Sequence, residues 1–140
     1  MASLRPFHLA IPVRKLDEAR AFYCDVLGCR EGRSSDEWVD FKFFGHQLVA
    51  HLSEEQDAGL AHNAVDGVDV PVRHFGVILT MQQWEALAEK ITALNMPFMV
   101  VPQTRFRGLA GEQATFFLSD PSGNVLEFKA FEDDSKIFAT

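Results

Sequence analysis

The feature that most constrains this chain is that one order of local signals occurs twice in its 140 residues. Residues 7–13 are β-prone, and an amphipathic stretch with helical spacing follows and ends at Gly28. Two apolar runs come next, on either side of the turn Gly45-His46. This order predicts a strand, a helix and a strand hairpin, and a short strand at residues 28–31 completes a βαβββ module.

The second half repeats the order from residue 72 onward. Residues 72–79 are again β-prone, and Thr80 with Gln83 forms a capping box that begins a helix. Asn95 and Pro97 end that helix. The apolar segments that follow predict three further strands, at residues 98–101, 115–118 and 124–131.

Matched spacing supports a duplication, because His8 precedes Leu27 by 19 residues and His74 precedes Leu94 by 20. We therefore predict an α+β fold with two paired βαβββ modules that form a curved open sheet. The chain, residues 1–140, would be a single domain whose modules cover about residues 1–60 and 70–132. The polar residues 53–71 between them are interpreted as a linker or a lid.

Composition excludes several classes of partner. The net charge of −7 comes from scattered acidic residues, so neither nucleic acid nor an anionic membrane is expected to bind. No run approaches the roughly 20 apolar residues that cross a bilayer, and the start lacks the pattern of a signal peptide, which predicts a cytoplasmic protein. Cys24 and Cys29 lack the spacing of a zinc or redox motif and are interpreted as reduced thiols.

The candidate metal ligands are His8, His74 and Glu127. Glu127 lies inside an apolar strand, where an isolated carboxylate is very unfavourable without a partner. Pseudo-symmetric pairing of the modules would bring it together with the two histidines. Two imidazoles and a carboxylate that leave open positions suit Fe(II), Mn(II), Zn(II), Ni(II) or Co(II). A single strand histidine is more often a hydrogen-bonded structural residue, but the repeat favours the metal interpretation.

Other histidines are candidates for proton transfer. His51 lies on the closing strand of the first module, as the expected counterpart of Glu127, and is interpreted as a fourth ligand or a base. His62, in the linker, is a second candidate base. His46, in the hairpin turn, is the weakest candidate, and exposure in a loop explains His46 and His62 more simply.

A basic segment after the predicted helix of the second module suggests a substrate subsite. Arg105 and Arg107 fall in a predicted loop and could hold a substrate carboxylate with their guanidinium groups. A solvated charged loop is the competing interpretation. Phe117 is a candidate for the apolar wall of a pocket beside the metal.

Several of these motifs together resemble the vicinal oxygen chelate superfamily, which includes glyoxalase I, extradiol dioxygenases, fosfomycin-resistance proteins and bleomycin-binding proteins. The resemblance covers almost the whole chain. It implies that His8, His74 and Glu127 are the metal ligands, and a His, His, Glu set is similar to that of extradiol dioxygenases. Glyoxalase I adds a carboxylate or glutamine where this chain has His51. The matching segments are residues 7–11, 21–23, 26–28, 74–77 and 118–128.

The resemblance implies a metal-dependent dioxygenase that acts on a small catechol-like or oxygen-chelating substrate, with Fe2+ as the first candidate ion. Those enzymes use a tyrosine on the strand before the carboxylate, where this chain has residues Thr115 to Leu118 without one. A glyoxalase-type lyase or isomerase is the alternative, and a non-catalytic small-molecule binder is the third. A homodimer is expected. The sequence leaves open the substrate, the ion, whether one chain or two form the site, and the role of residues 132–140.

Overall fold

The computed structural model describes residues 3–54, 61–65 and 67–140, with the backbone alone for residues 61–63. The chain divides into two compact units. Unit 1 comprises residues 1–57 and the turn 120–124, and unit 2 comprises residues 58–119 and 125–140. Within the described residues, no helix has the length and apolar character needed to cross a membrane.

Unit 1 is a four-stranded sheet with one helical connection. The elements are β1 His8–Val13, α1 Leu16–Arg20, β2 Arg30–Ser34, β3 Trp38–Phe43 and β4 His46–Leu52. The strands lie in the order β1-β4-β3-β2, with β1 parallel to β4 and the other neighbours antiparallel. Helix α1 continues into a π-helical segment, Ala21–Val26, before β2.

Unit 2 has a four-stranded sheet and a separate two-stranded hairpin. The elements are β5 Ala61–Val65, β6 Val68–Val72, β7 Phe75–Leu79, α2 Met81–Ala93, β8 Val100–Arg105, β9 Gln113–Ser119, β10 Val125–Ala130, and a 3-10 turn at Asp134–Lys136. The sheet has the order β7-β10-β9-β8 and the hairpin is β5-β6; β7 is parallel to β10, and the remaining pairs are antiparallel. The N-cap of α2 is Thr80, which forms the capping box with Gln83 that the sequence predicts.

The two four-stranded sheets have the same topology, as a duplicated βαβββ module requires. In each sheet the opening strand pairs in parallel with the closing strand, and the two middle strands complete an antiparallel ladder. The predicted α+β class with open sheets is confirmed.

Two expectations about loops are wrong. The segment predicted as a linker contains strands β5 and β6, in which His62 pairs with Pro71, so His62 lies on a strand. Arg105 was expected in a loop, but it is the last residue of β8 and pairs with Gln113. In both segments the β-ladder supplies partners for the backbone amides and carbonyls, so polar composition alone does not make a loop.

A buried carboxylate organises unit 1. Asp120 is 4% exposed and accepts four hydrogen bonds. Its Oδ1 accepts from the backbone amides of Ser122 and Asn124, and its Oδ2 accepts from the Asn124 side chain and the Tyr23 hydroxyl, the last at 2.8 Å. The Asn124 amide also donates to the carbonyl of Pro12 at 2.8 Å. Through these bonds the turn is fixed to β1 and to the π-helical segment.

The sheet of unit 2 has one apolar face and one mixed face. Helix α2 covers the apolar face, where the Trp84 indole donates to the Phe128 carbonyl at 2.9 Å and its ring lies 5.5 Å from that of Phe116. Residues directly opposite in the ladder share a face, so Phe117 and Glu127 lie together on the other side. Val70 of the β5-β6 hairpin forms a buried cluster with Phe117 and Val125 on part of this second face, and Val65 and Val68 pack against that cluster.

We predict that Tyr23→Phe lowers the free energy of unfolding by about 1.5–3 kcal/mol, because it removes a buried hydrogen bond to a carboxylate. Urea unfolding measures the change. Ser122→Ala is the control, since it removes only an exposed hydrogen bond from the Arg14 amide in the same turn and should cost less than about 1 kcal/mol. Equal effects of the two substitutions would contradict a central role for the Tyr23 hydroxyl.

The backbones of β7 and β10 approach closely at Gly76. A Cβ added at Gly76 would overlap the carbonyl oxygen of Glu127 and lie 2.7 Å from its carbonyl carbon. Gly76→Ala should therefore displace β10 and destabilise the protein by about 1–3 kcal/mol or more. At Gly111 the nearest atom to an added Cβ is 3.8 Å away, in the Phe106 ring, so Gly111→Ala is the matched control. A Gly76→Ala protein as stable as this control would be evidence against the close approach.

Candidate metal centre

Glu127 is the buried acid of unit 2, with 6% of its surface exposed. It lies in the middle of β10, between Gly76 on one side and Phe117 on the other. Its neighbours in sequence, Leu126 and Phe128, point to the apolar face, so the strand alternation directs Glu127 to the mixed face. The charged residue that interrupts the apolar run is therefore directed away from the helix-covered core.

The Glu127 carboxylate has a different set of partners on each oxygen. Its Oε1 lies 3.1 Å from Nε2 of His74 and 3.9 Å from the Lys129 ammonium. Its Oε2 accepts a hydrogen bond of 2.6 Å from the Thr115 hydroxyl and lies 4.0 Å from Nη1 of Arg105. The carboxylate is thereby held in one orientation, with Oε1 directed at the imidazole.

These contacts shift the pKa values of both members of the pair. Burial alone would raise the pKa of the Glu127 carboxyl, but the hydrogen bonds from His74 and Thr115 outweigh it and lower that pKa. The hydrogen bond to Glu127 raises the pKa of His74, against the opposing effect of burial. Both shifts act in the same sense, since each favours the charged form of its group relative to the free side chain.

His74 is oriented by its second nitrogen. Its Nδ1 hydrogen-bonds to the carbonyl of Pro71, on β6, and its ring packs edge-on against Phe117 with centroids 4.8 Å apart. Since a carbonyl only accepts, Nδ1 carries the proton, and Nε2 becomes a lone-pair donor whenever it is not protonated. Metal-binding histidines typically donate their other ring N–H to an oxygen in this way.

His8 has the same arrangement in unit 1. Its Nδ1 lies 2.7 Å from the side-chain oxygen of Gln47, its cross-strand partner on β4, and the histidine is exposed. His46 has the opposite arrangement, because its Nδ1 accepts a hydrogen bond of 2.7 Å from the Phe7 amide. The Nε2 of neutral His46 is therefore protonated, which is unsuited to metal binding through that atom.

Two further candidate histidines are His51 and His62. His51 is exposed on β4 and pairs with Pro12 of β1. Glu127 pairs with Gly76, which lies two residues after His74. In unit 1, the residue two positions after His8 is Ala10, and it pairs with Val49. The structural counterpart of Glu127 is therefore Val49 rather than His51. His62 lies on β5, and its side chain is outside the described residues.

The three candidate substrate-binding residues differ in how deeply they are buried. Arg105 is 4% exposed, and its guanidinium carbon lies 5.3 Å from the centre of the Phe117 ring. Phe117 is fully buried, and its ring contacts both this guanidinium and the His74 ring. Arg107, two residues after the strand, is exposed. Sequence reasoning missed Thr115 and Lys129, although their positions two residues from Phe117 and Glu127 on adjacent strands place them on the same face.

The donor chemistry fits a divalent ion, although unit 2 alone does not supply a full ligand set. His74 offers an imidazole nitrogen and Glu127 a carboxylate oxygen, a combination that Fe(II), Zn(II) and Ni(II) accept. Among the described residues, no three His, Cys, Asp or Glu side chains form a group that could hold a metal ion. His8, in unit 1, is the third ligand that the sequence predicts.

Comparison with known proteins gives the family. The family model of the Glyoxalase/Bleomycin resistance protein/Dioxygenase superfamily matches residues 5–128. A glyoxalase/bleomycin resistance protein/dioxygenase from Alicyclobacillus acidocaldarius is 39% identical, with 96% of each chain covered and a TM-score of 0.82. A search of curated proteins found no match.

More distant structures show the same fold. A genomically encoded fosfomycin resistance protein from Listeria monocytogenes is 16% identical, with 99% of each chain covered and a TM-score of 0.68. A lactoylglutathione lyase from Agrobacterium tumefaciens is 21% identical, with 99% of this chain and 98% of that one covered and a TM-score of 0.64. From its fold and its match over residues 5–128, the chain belongs to the Glyoxalase/Bleomycin resistance protein/Dioxygenase superfamily.

Proposed function

We propose that this protein is a metal-dependent enzyme that acts on a small oxygen-chelating substrate, with His8, His74 and Glu127 as ligands of one divalent ion. The observation that carries the proposal is the matched orientation of the two histidines. In both, Nδ1 is hydrogen-bonded to an oxygen, so Nε2 is the nitrogen that would bind an ion. In His74 that nitrogen lies 3.1 Å from Oε1 of Glu127, the proposed carboxylate ligand. The opposite arrangement at His46 excludes that residue from the proposed set.

The chain's own residues hold and orient the proposed ligands. Gln47 and the Pro71 carbonyl fix the rings of His8 and His74, and Thr115 fixes the Glu127 carboxylate through its second oxygen. A bound divalent ion supplies Lewis-acid polarisation of substrate oxygens, or a redox-active centre if it is Fe2+. We further propose a homodimer, with His51 and His62 as candidates for proton transfer.

The reaction type has two candidates, and the position of Tyr23 helps to rank them. The resemblance to extradiol dioxygenases favours oxygenation of a catechol. However, Tyr23 is the one tyrosine of the chain, and it is fully buried with its hydroxyl donated to Asp120. No tyrosine is therefore available as a proton donor at the metal. This supports lyase or isomerase chemistry, in which the ion polarises a carbonyl and a base moves a proton.

The first test is metal content. We expect His8→Ala, His74→Ala and Glu127→Ala each to lower the bound divalent metal from about one per chain to a small fraction, because each removes one of three ligands. Elemental analysis after reconstitution and gel filtration measures it. His46→Ala is the control, since it removes an imidazole from unit 1 without removing a proposed ligand. Full occupancy in all three ligand variants would refute the site.

The second test separates the reactions. Protein reconstituted anaerobically with Fe2+ is mixed with a panel of catechols while oxygen uptake is followed. Protein with Ni2+ or Zn2+ is assayed for isomerisation of the hemithioacetal of methylglyoxal and glutathione. We expect no oxygen uptake above that of the Glu127→Ala protein, because no tyrosine is available at the site. Rapid metal-dependent oxygen uptake would reverse the ranking, and tight ligand binding without metal or turnover would favour a binding protein.

A further inference from the structure

The guanidinium of Arg105 is buried with part of its hydrogen-bonding capacity unused. Its Nε and Nη2 have no hydrogen-bond partner among the residues that the structure describes. Leaving a buried donor without a partner is unfavourable, and more so when the group is charged, so native proteins rarely retain one. These two N–H groups therefore need a hydrogen-bond acceptor other than the described residues.

The contacts of the Arg105 guanidinium with Glu127 and Phe117 do not use Nε or Nη2. Nη1 lies 4.0 Å from Oε2 of Glu127, beyond hydrogen-bonding distance, and the guanidinium carbon lies over the Phe117 ring. Nε and Nη2 lie on the side of the guanidinium that presents two parallel N–H groups. That edge matches the two oxygens of a carboxylate, phosphonate or phosphate and binds them as a bidentate pair.

The charges on this face favour an anion as the partner. Arg105 and Lys129 both lie within 4.0 Å of the single carboxylate of Glu127. Two basic side chains therefore face one carboxylate, in a chain whose net charge is −7. A divalent ion at His74 and Glu127 would increase the local positive charge further.

We infer that Arg105 binds an oxyanion group of the substrate through Nε and Nη2, which makes the substrate a small carboxylate or phosphonate. The inference rests on the proposed function in placing the substrate at this face. The Phe117 ring supports the guanidinium from one side, and the Glu127 carboxylate lies 4.0 Å from its Nη1. Because the edge is buried, an anion reaches it only when neighbouring side chains move apart.

The test uses metal-free, chelator-treated protein and three probes of matched shape: benzoate, phenylphosphonate and the uncharged benzamide. Nitrogen-15 NMR follows the Arg105 Nε–H signal, and calorimetry gives the affinities. We expect at least one anion to bind and shift this signal, and benzamide to do neither. Arg105→Lys keeps the charge but loses the two parallel donors, so affinity should fall by about tenfold or more.

Arg33→Gln is the matched control, because Arg33 is 84% exposed on β2 and lies 3.9 Å from Asp40. It should bind the probes as the wild type does. A response to benzoate alone identifies a carboxylate, and a response to phenylphosphonate alone identifies a phosphonate. If neither anion shifts the Arg105 signal of the wild-type protein, the inference is overturned, even when Arg105→Lys fails to fold. Metal content is measured separately, so a failure here and a failure of the metal proposal are distinguishable.

Discussion

The arrangement of unit 2 depends on one buried carboxylate. Glu127 lies in a sheet whose opposite face is packed against α2, and leaving its charge without partners in such surroundings would be very unfavourable. The imidazole of His74 and the hydroxyl of Thr115 satisfy its two oxygens, and Arg105 and Lys129 add positive charge. The same contacts orient a carboxylate and an imidazole as potential ligands.

The architecture around this carboxylate follows from the duplicated module. Parallel pairing of the opening and closing strands puts the segment after His74 beside Glu127, and Gly76 allows the two backbones to approach closely. In unit 1 the same pairing brings His8 opposite Gln47. One topology therefore positions both proposed histidine ligands at the start of an opening strand, each with a hydrogen-bond acceptor for Nδ1.

The sequence predicts the repeat, the fold class and the pairing of His74 with Glu127, because periodicity and an acid in an apolar strand are local signals. It does not predict the β5-β6 hairpin, since the polar residues of that segment resemble a linker. It also assigns His51 as the counterpart of Glu127, whereas the ladder assigns Val49. Strand register is a tertiary property, and a shift of two residues keeps a side chain on the same face, so the pattern alone does not distinguish the two.

X-ray absorption spectroscopy at the metal edge of the reconstituted protein is the sharpest test of the proposed ligand set, because it reports the atoms bound to the ion. We predict a shell of nitrogen and oxygen at about 2.0–2.2 Å, with the outer scattering of two imidazole rings and no sulfur. Loss of one imidazole in His8→Ala would identify the third ligand. A sulfur-containing shell, or a shell of water oxygens without imidazole, would contradict this ligand set.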